Sequence, residues 1–265
     1  MPATMNSARF VGRDAAFIRL APALEAASDG EAVTVLLEGP GGVGVTRFVD
    51  ELARRVIGLP ESFEIVRGRS YRPGSEEPYG PIIRSLRPVF QGMDESELTR
   101  VVGPAAEDVV RLFPEVLGRL SATGALPERP TSTALERRQG RVLESLLGVV
   151  GRLAEARPVL FVLEDLHDAD AASRAFVSFM SRIRRAHRVC LVATWQPDEV
   201  GRDHPWARTL AEMAPESDRG PARIAILPLE RAELAELVQS IEGERPTASA
   251  LVLVADRSRG LPLVA

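Results

Sequence analysis

The sequence predicts an α/β fold built on a five-stranded, mainly parallel sheet. Three observations carry that reading. Short β-branched apolar runs alternate with helical stretches; a glycine-rich turn joins the first run to the first helix; and a later, wholly apolar run ends in two carboxylates. With 265 residues, 45% of them hydrophobic and 26% charged, the chain has the balance of a globular protein able to bury a core.

Residues 33–38 (VTVLLE) read as a buried strand that runs into the glycine-rich turn. Residues 46–57 follow as a helix, because Phe48, Val49, Leu52, Ala53 and Val56 recur at helical spacing. Residues 63–69 alternate in and out as a second strand. Residues 71–130 break this rhythm: YRPGSEEPYGP leads to a short helix over 82–90, broken helical pieces over 96–120 and an exposed loop over 125–133. They read as a helical insertion. A long helix over 135–156 precedes the third strand, 158–165, which is apolar along its length like a strand covered on both faces. A helix over 172–185, a fourth strand over 188–195 and a short fifth strand within 222–229, stopped by Pro228, complete the sheet. Beyond Leu229 the pattern is helical, over 231–241 and 247–256. The abrupt apolar ending GLPLVA predicts a polypeptide that continues past Ala265.

Composition narrows the function. No apolar run reaches the ~18 residues of a membrane-spanning helix, and MPATMNSARF lacks the basic-then-apolar order of a signal peptide. The expectation is a cytoplasmic protein without membrane contact. A net charge of -4 argues against direct nucleic-acid contact by this segment. The single cysteine, Cys190, reads as a buried, inert thiol within a strand. All 33 cationic residues are arginine, so no chemistry that needs a lysine amine is available.

The turn Gly39-Pro40-Gly41-Gly42-Val43-Gly44-Val45-Thr46 matches the phosphate-binding pattern G-x-x-x-x-G-K-[ST] at every fixed position but one. Its backbone amides would form a nest at the positive end of the helix that follows. Thr46 supplies the hydroxyl expected on Mg²⁺, whereas Val45 stands at the lysine position. The second element is the apolar strand ending in Glu164 and Asp165, which suits a metal-holding acid followed by a base for the attacking water. Competing readings are weaker. His167, Asp168 and Asp170 crowd one helix start, where Asp170 serves better as an N-cap than as a metal ligand. Ser173, His167 and Asp165 lack the G-x-S-x-G elbow of a hydrolase. The arginines 182, 184, 185 and 188 read as a solvated helix end, and Trp195 and Trp206 as packing residues.

These residues resemble the AAA-like branch of signal-transducing P-loop ATPases called STAND, as found in large LuxR-type bacterial regulators. Phe10-Val11-Gly12-Arg13 is similar to the family's opening motif, whose backbone and arginine lie near the adenine and phosphates; the glutamate usual three residues on is Ala16. The loop resembles the family's as far as Arg47. Leu163-Glu164-Asp165-Leu166-His167 is similar to its acidic box, with Asp168 in place of a common tryptophan. Thr194 and Gln196 stand where a polar sensor faces the γ-phosphate, Gln196 replacing a frequent arginine. Gly260-Leu261-Pro262 resembles the lid element whose proline packs on the base.

The resemblance implies a three-layer P-loop NTPase sandwich. Residues 1–229 would form the nucleotide-binding domain, with 71–130 as its insertion and 230–265 as the start of a helical lid. It also implies an ATP/ADP- and Mg²⁺-binding regulatory module in signal transduction or transcription regulation. Such a module would be joined to a C-terminal effector domain and would assemble as a nucleotide-dependent homo-oligomer. Loss of the charge-assisted lysine contact weakens phosphate binding by about 10- to 150-fold, so binding can survive on the nest while hydrolysis becomes slow or absent. Arg47 sits ~200° round the helix from Val45 and would turn away from the phosphates; Arg13 or Arg69 could compensate only if folding brought them in. Two alternatives remain: a non-binding scaffold or oligomerisation domain, and a working ATPase with a substituting arginine.

Overall fold

The structure, a computed structural model, describes residues 9–71, 77–122, 135–183, 187–213 and 220–263. Five parallel strands, β1 (Val33–Glu38), β2 (Glu64–Arg69), β3 (Val159–Glu164), β4 (Val189–Trp195) and β5 (Ala222–Ala225), lie in the order β2-β3-β4-β1-β5. The expected strands are all present; the fifth is shorter than the apolar run suggested. The Ile226 amide still donates to the Glu38 carbonyl at 2.7 Å, and beyond it the chain runs to Leu229, which packs with α10 (Arg231–Glu242). β1 lies between β4 and β5, pairing Val33 with Cys190 and Val35 with Ala222.

Two helices cover one face: α1 (Asp14–Ser28) and α2 (Val45–Ile57). Leu20, Phe48, Val49 and Leu52 pack there on Val35, Leu37, Leu160, Val162 and Val192. Phe17 stacks on Phe48 at 4.3 Å between ring centroids, and the Arg55 guanidinium lies 3.8 Å over the Phe17 ring. α1 falls in a stretch that the apolar spacing did not single out; it is alanine-rich and contains Pro22.

The other face carries the helices between β2 and β3 and the helices that follow β3 and β4. These are α3 (Gly80–Gly92), α4 (Glu95–Val102), α5 (Ala106–Leu112), α6 (Leu117–Ala122) and α7 (Leu135–Leu153), followed by α8 (Ala171–Met180) and α9 (Pro205–Glu212). Their apolar sides meet Val159, Phe161, Leu163, Leu191 and Ala193, the strand residues opposite in phase to those facing α1 and α2. Helices on both faces of a parallel sheet make three layers. Gly68 lets α3 approach β2 closely, since a Cβ there would come within 2.0 Å of the Pro81 carbonyl oxygen. Arg67 and Arg69, on either side of it, face the α2 layer.

α10 (Arg231–Glu242) and α11 (Ala248–Ser258) pack together around Leu229, Leu234 and Leu237. Asp170 caps α8, accepting from the Ser173 amide at 2.9 Å, and also accepts from the Tyr79 amide at 3.0 Å. α8 ends earlier than its sequence pattern, at Met180. Arg182 donates to the Glu212 carbonyl and Arg188 pairs with Glu61, while Arg184, Arg185 and the loop expected over 125–133 lie outside the described residues. Trp206 is fully buried in the core, consistent with packing. No helix among the described residues is long and apolar enough to cross a membrane.

Candidate functional site

The glycine turn leaves β1 with its conformation fixed by contact. A Cβ on Gly39 would meet Val43 Cγ1 at 2.7 Å and the Ile226 carbonyl oxygen at 3.1 Å. Gly42 and Gly44 adopt φ of 81° and 96°, the left-handed region that side chains rarely enter. Gly44 is the N-cap of α2, so the turn passes directly into the positive end of a helix.

A cavity of about 1020 Å³ opens over this turn. Pro40, Gly41, Gly42, Val43, Gly44, Val45 and Thr46 all line it. Asp165 enters from the end of β3, Thr194 and Gln196 from the end of β4, and Val11 and Arg13 from the segment before α1. Leu237 and Ile241 of α10, with Pro262 and Leu263 beyond α11, complete the lining, Leu263 lying against Gly42 of the turn. The long-range convergence expected of the two motifs is therefore met by residues from both ends of the chain.

Two contacts hold the strand ends in register. The Asp165 amide donates to Thr194 Oγ1 at 3.1 Å, and the Gln196 amide donates to His167 Nδ1 at 3.4 Å. Asp165 itself takes a left-handed φ of 57°. Ser173 Oγ donates to Asp170 at 2.6 Å rather than to His167.

Arginines gather where the lysine is missing. Arg9, Arg13, Arg47 and Arg69 line the cavity, against three acids, Asp50, Asp165 and Glu242. Arg47, expected from its helical angle to turn away, lies on the cavity wall after all. Arg13 donates to the Val43 carbonyl at 2.9 Å and to the Leu227 carbonyl, bridging the turn to the strand exit. Burial lowers its pKa from the ordinary arginine value, opposed by the charge of Glu233. Arg69 pairs through Nε with Asp165; although burial lowers its pKa, hydrogen bonding to Asp165 and the nearby acids raise it overall.

Three expected site residues stand back from the cavity wall. Gly12 packs under the Glu233 side chain, Gly39 is buried beneath the turn, and Glu164 lies behind Asp165. Glu164 Oε1 accepts from Arg67 Nε at 2.6 Å, and Arg67 also pairs with Asp50. Burial lowers the Arg67 pKa, but hydrogen bonds to Glu164 and then Asp50 raise it overall. The expected metal-holding acid is thus engaged by a guanidinium. Trp195, read as a packing residue, also reaches the cavity wall.

The parallel sheet and a glycine turn opening onto a helix define a P-loop ATPase fold. Residues 9–192 match the AAA ATPase domain, and the chain belongs to that family. Comparison with curated proteins found no match. Among solved structures, the chain is similar to a signal transduction ATPase with numerous domains (STAND) protein with a tetratricopeptide repeat sensor from Pyrococcus horikoshii. That similarity has a TM-score of 0.44 and 13% identity, and covers 99% of this chain and 30% of the other.

Proposed function

We propose that the chain is an ATP/ADP-binding regulatory module of a bacterial signal-transducing ATPase or LuxR-type transcriptional regulator, with hydrolysis slow or absent. The observation that carries this reading is the single cavity shared by the turn, the carboxyl ends of β3 and β4, and the C-terminal helices. Its two sides differ in chemistry. The glycine turn, Arg47 and Arg69 supply a polar part of the lining, where a polyphosphate would fit; Leu237, Ile241 and Pro262 supply apolar lining for a base. A nucleotide so placed touches the sheet and the helical segment at once. It would therefore favour one position of that segment over another, which is the requirement for a switch.

Slow turnover follows from Val45. The turn can still orient phosphates, but no ammonium neutralises the charge that develops on the transferred group. Calorimetric titration with ADP and ATP tests binding, and phosphate release from ATP tests turnover. Measurable affinity with phosphate release near the buffer background supports the proposal. Release at rates ordinary for AAA ATPases, abolished by Thr46→Ala, would instead identify a working ATPase in which Arg13 or Arg69 substitutes. The scaffold reading is favoured by Val45 alone and predicts no heat and no gain in melting temperature with either nucleotide.

A further inference from the structure

We infer that this site holds a nucleotide polyphosphate without a divalent cation, its charge met by arginines that also occupy the carboxylates a metal would use. The inference rests on the nucleotide reading above and concerns how that same site is charged.

Mg²⁺ takes six oxygen ligands in near-octahedral geometry at about 2.0–2.1 Å, and is ordinarily held through one or two carboxylates together with substrate phosphates. The Thr46 hydroxyl is available on the cavity wall. The acids are not. Asp50 and Glu164 share Arg67, and Asp165 is paired with Arg69. A divalent ion at any of these carboxylates would sit against a guanidinium that cannot deprotonate. Glu164 keeps one buried oxygen, Oε2, without a hydrogen-bond partner, but Glu164 is not part of the cavity wall where phosphates would lie.

The arrangement is written into the chain. In Arg67-Gly68-Arg69 the two arginines are two residues apart on one strand, so both project from the same face. Parallel pairing sets Arg69 beside Glu164 and Arg67 beside Val162, which brings both guanidiniums to the carboxylate end of β3. Arg69 uses Nε for Asp165, leaving its Nη groups to donate in the planar fork that suits phosphate oxygens. One strand thus supplies both the counter-ion of the acids and a phosphate donor, in a chain with valine at the lysine position.

The test is titration of the purified protein with ADP and with ATP, in excess EDTA and in millimolar Mg²⁺. A metal that contributed even one charge-assisted contact would separate the two buffers by about 10-fold or more. A smaller separation is expected. The Arg69→Gln variant, changed at a half-exposed side chain, should weaken ADP binding in EDTA by about 10-fold or more. Wild-type affinity that collapses in EDTA, or an R69Q protein that binds ADP in EDTA like wild type, would overturn the inference and leave the nucleotide reading standing. Absence of binding in both buffers would remove the nucleotide reading and this inference with it.

Discussion

The backbone amide of Leu263 donates to the carbonyl of Gly42 at 3.3 Å, so the segment after α11 is fastened directly to the phosphate-type turn. A second tie lies just before it, where the Leu229 amide donates to the Gly260 carbonyl at 2.8 Å. Turn, strand exit and C-terminal helices are thereby linked through main-chain atoms, and a ligand beneath them has to act on all three.

Gly260 is the point at which this link is most easily broken. It has a φ of 78°, and a Cβ would come within 2.6 Å of the Leu229 carbonyl oxygen. Gly260→Ala should cost about 1–3 kcal/mol of stability from backbone strain alone. It should also weaken ADP binding more than a distant substitution of equal cost. Urea denaturation and titration of the same preparation separate the two effects.

Val45→Lys returns an ammonium to a residue already on the cavity wall. ADP and ATP should bind about 10-fold tighter or better, read by calorimetry. Unchanged affinity would mean that phosphates do not lie over this turn.

Arg67→Ala should destabilise the fold by about 1–3 kcal/mol, because it strands a buried carboxylate. Glu164 is 3% exposed, and its second oxygen already lacks a partner. Adding Glu164→Gln should recover part of the loss by removing the buried charge, a non-additivity that a double-mutant cycle in urea detects.

Burial pushes the Cys190 thiol up to about 12. Native protein near pH 8 should therefore resist thiol reagents until it opens, with labelling accelerated by urea. The pH effect has a definite sign. An unfolded cysteine ionises at about 8.5, so the stability this thiol contributes is complete below that pH and is lost as pH rises toward 12. Denaturation midpoints of Cys190→Ala should fall less steeply across that alkaline window than those of the wild type.

The strands were legible wherever both faces are covered. Val159 to Leu163 and Val189 to Ala193 are buried at every position, and burial on both sides writes itself as an unbroken apolar run. The turn was legible because its backbone requires glycine at Gly42 and Gly44. α1 was not, since alanines such as Ala16, Ala23 and Ala27 pack a helix face without a strong apolar contrast. The pairing of Arg67 with Glu164 was equally hidden. It depends on β2 lying next to β3, and sheet order is not a local property of sequence. The cavity placement of Arg47 shows a related limit: a residue in the first turn of a helix can line a site beside that helix end whatever its helical angle.

Gly68 gives β2 two working sides. One is pressed against the backbone of α3 too closely for any side chain to intervene; the other carries the guanidiniums that hold Asp50, Glu164 and Asp165. A side chain at position 68 would have to push α3 and β2 apart. Moving the strand would carry with it the counter-charges of three acids. The spacing between β2 and α3 is in this way tied to the charge balance around a cavity whose wall includes Asp50, Arg69 and Asp165.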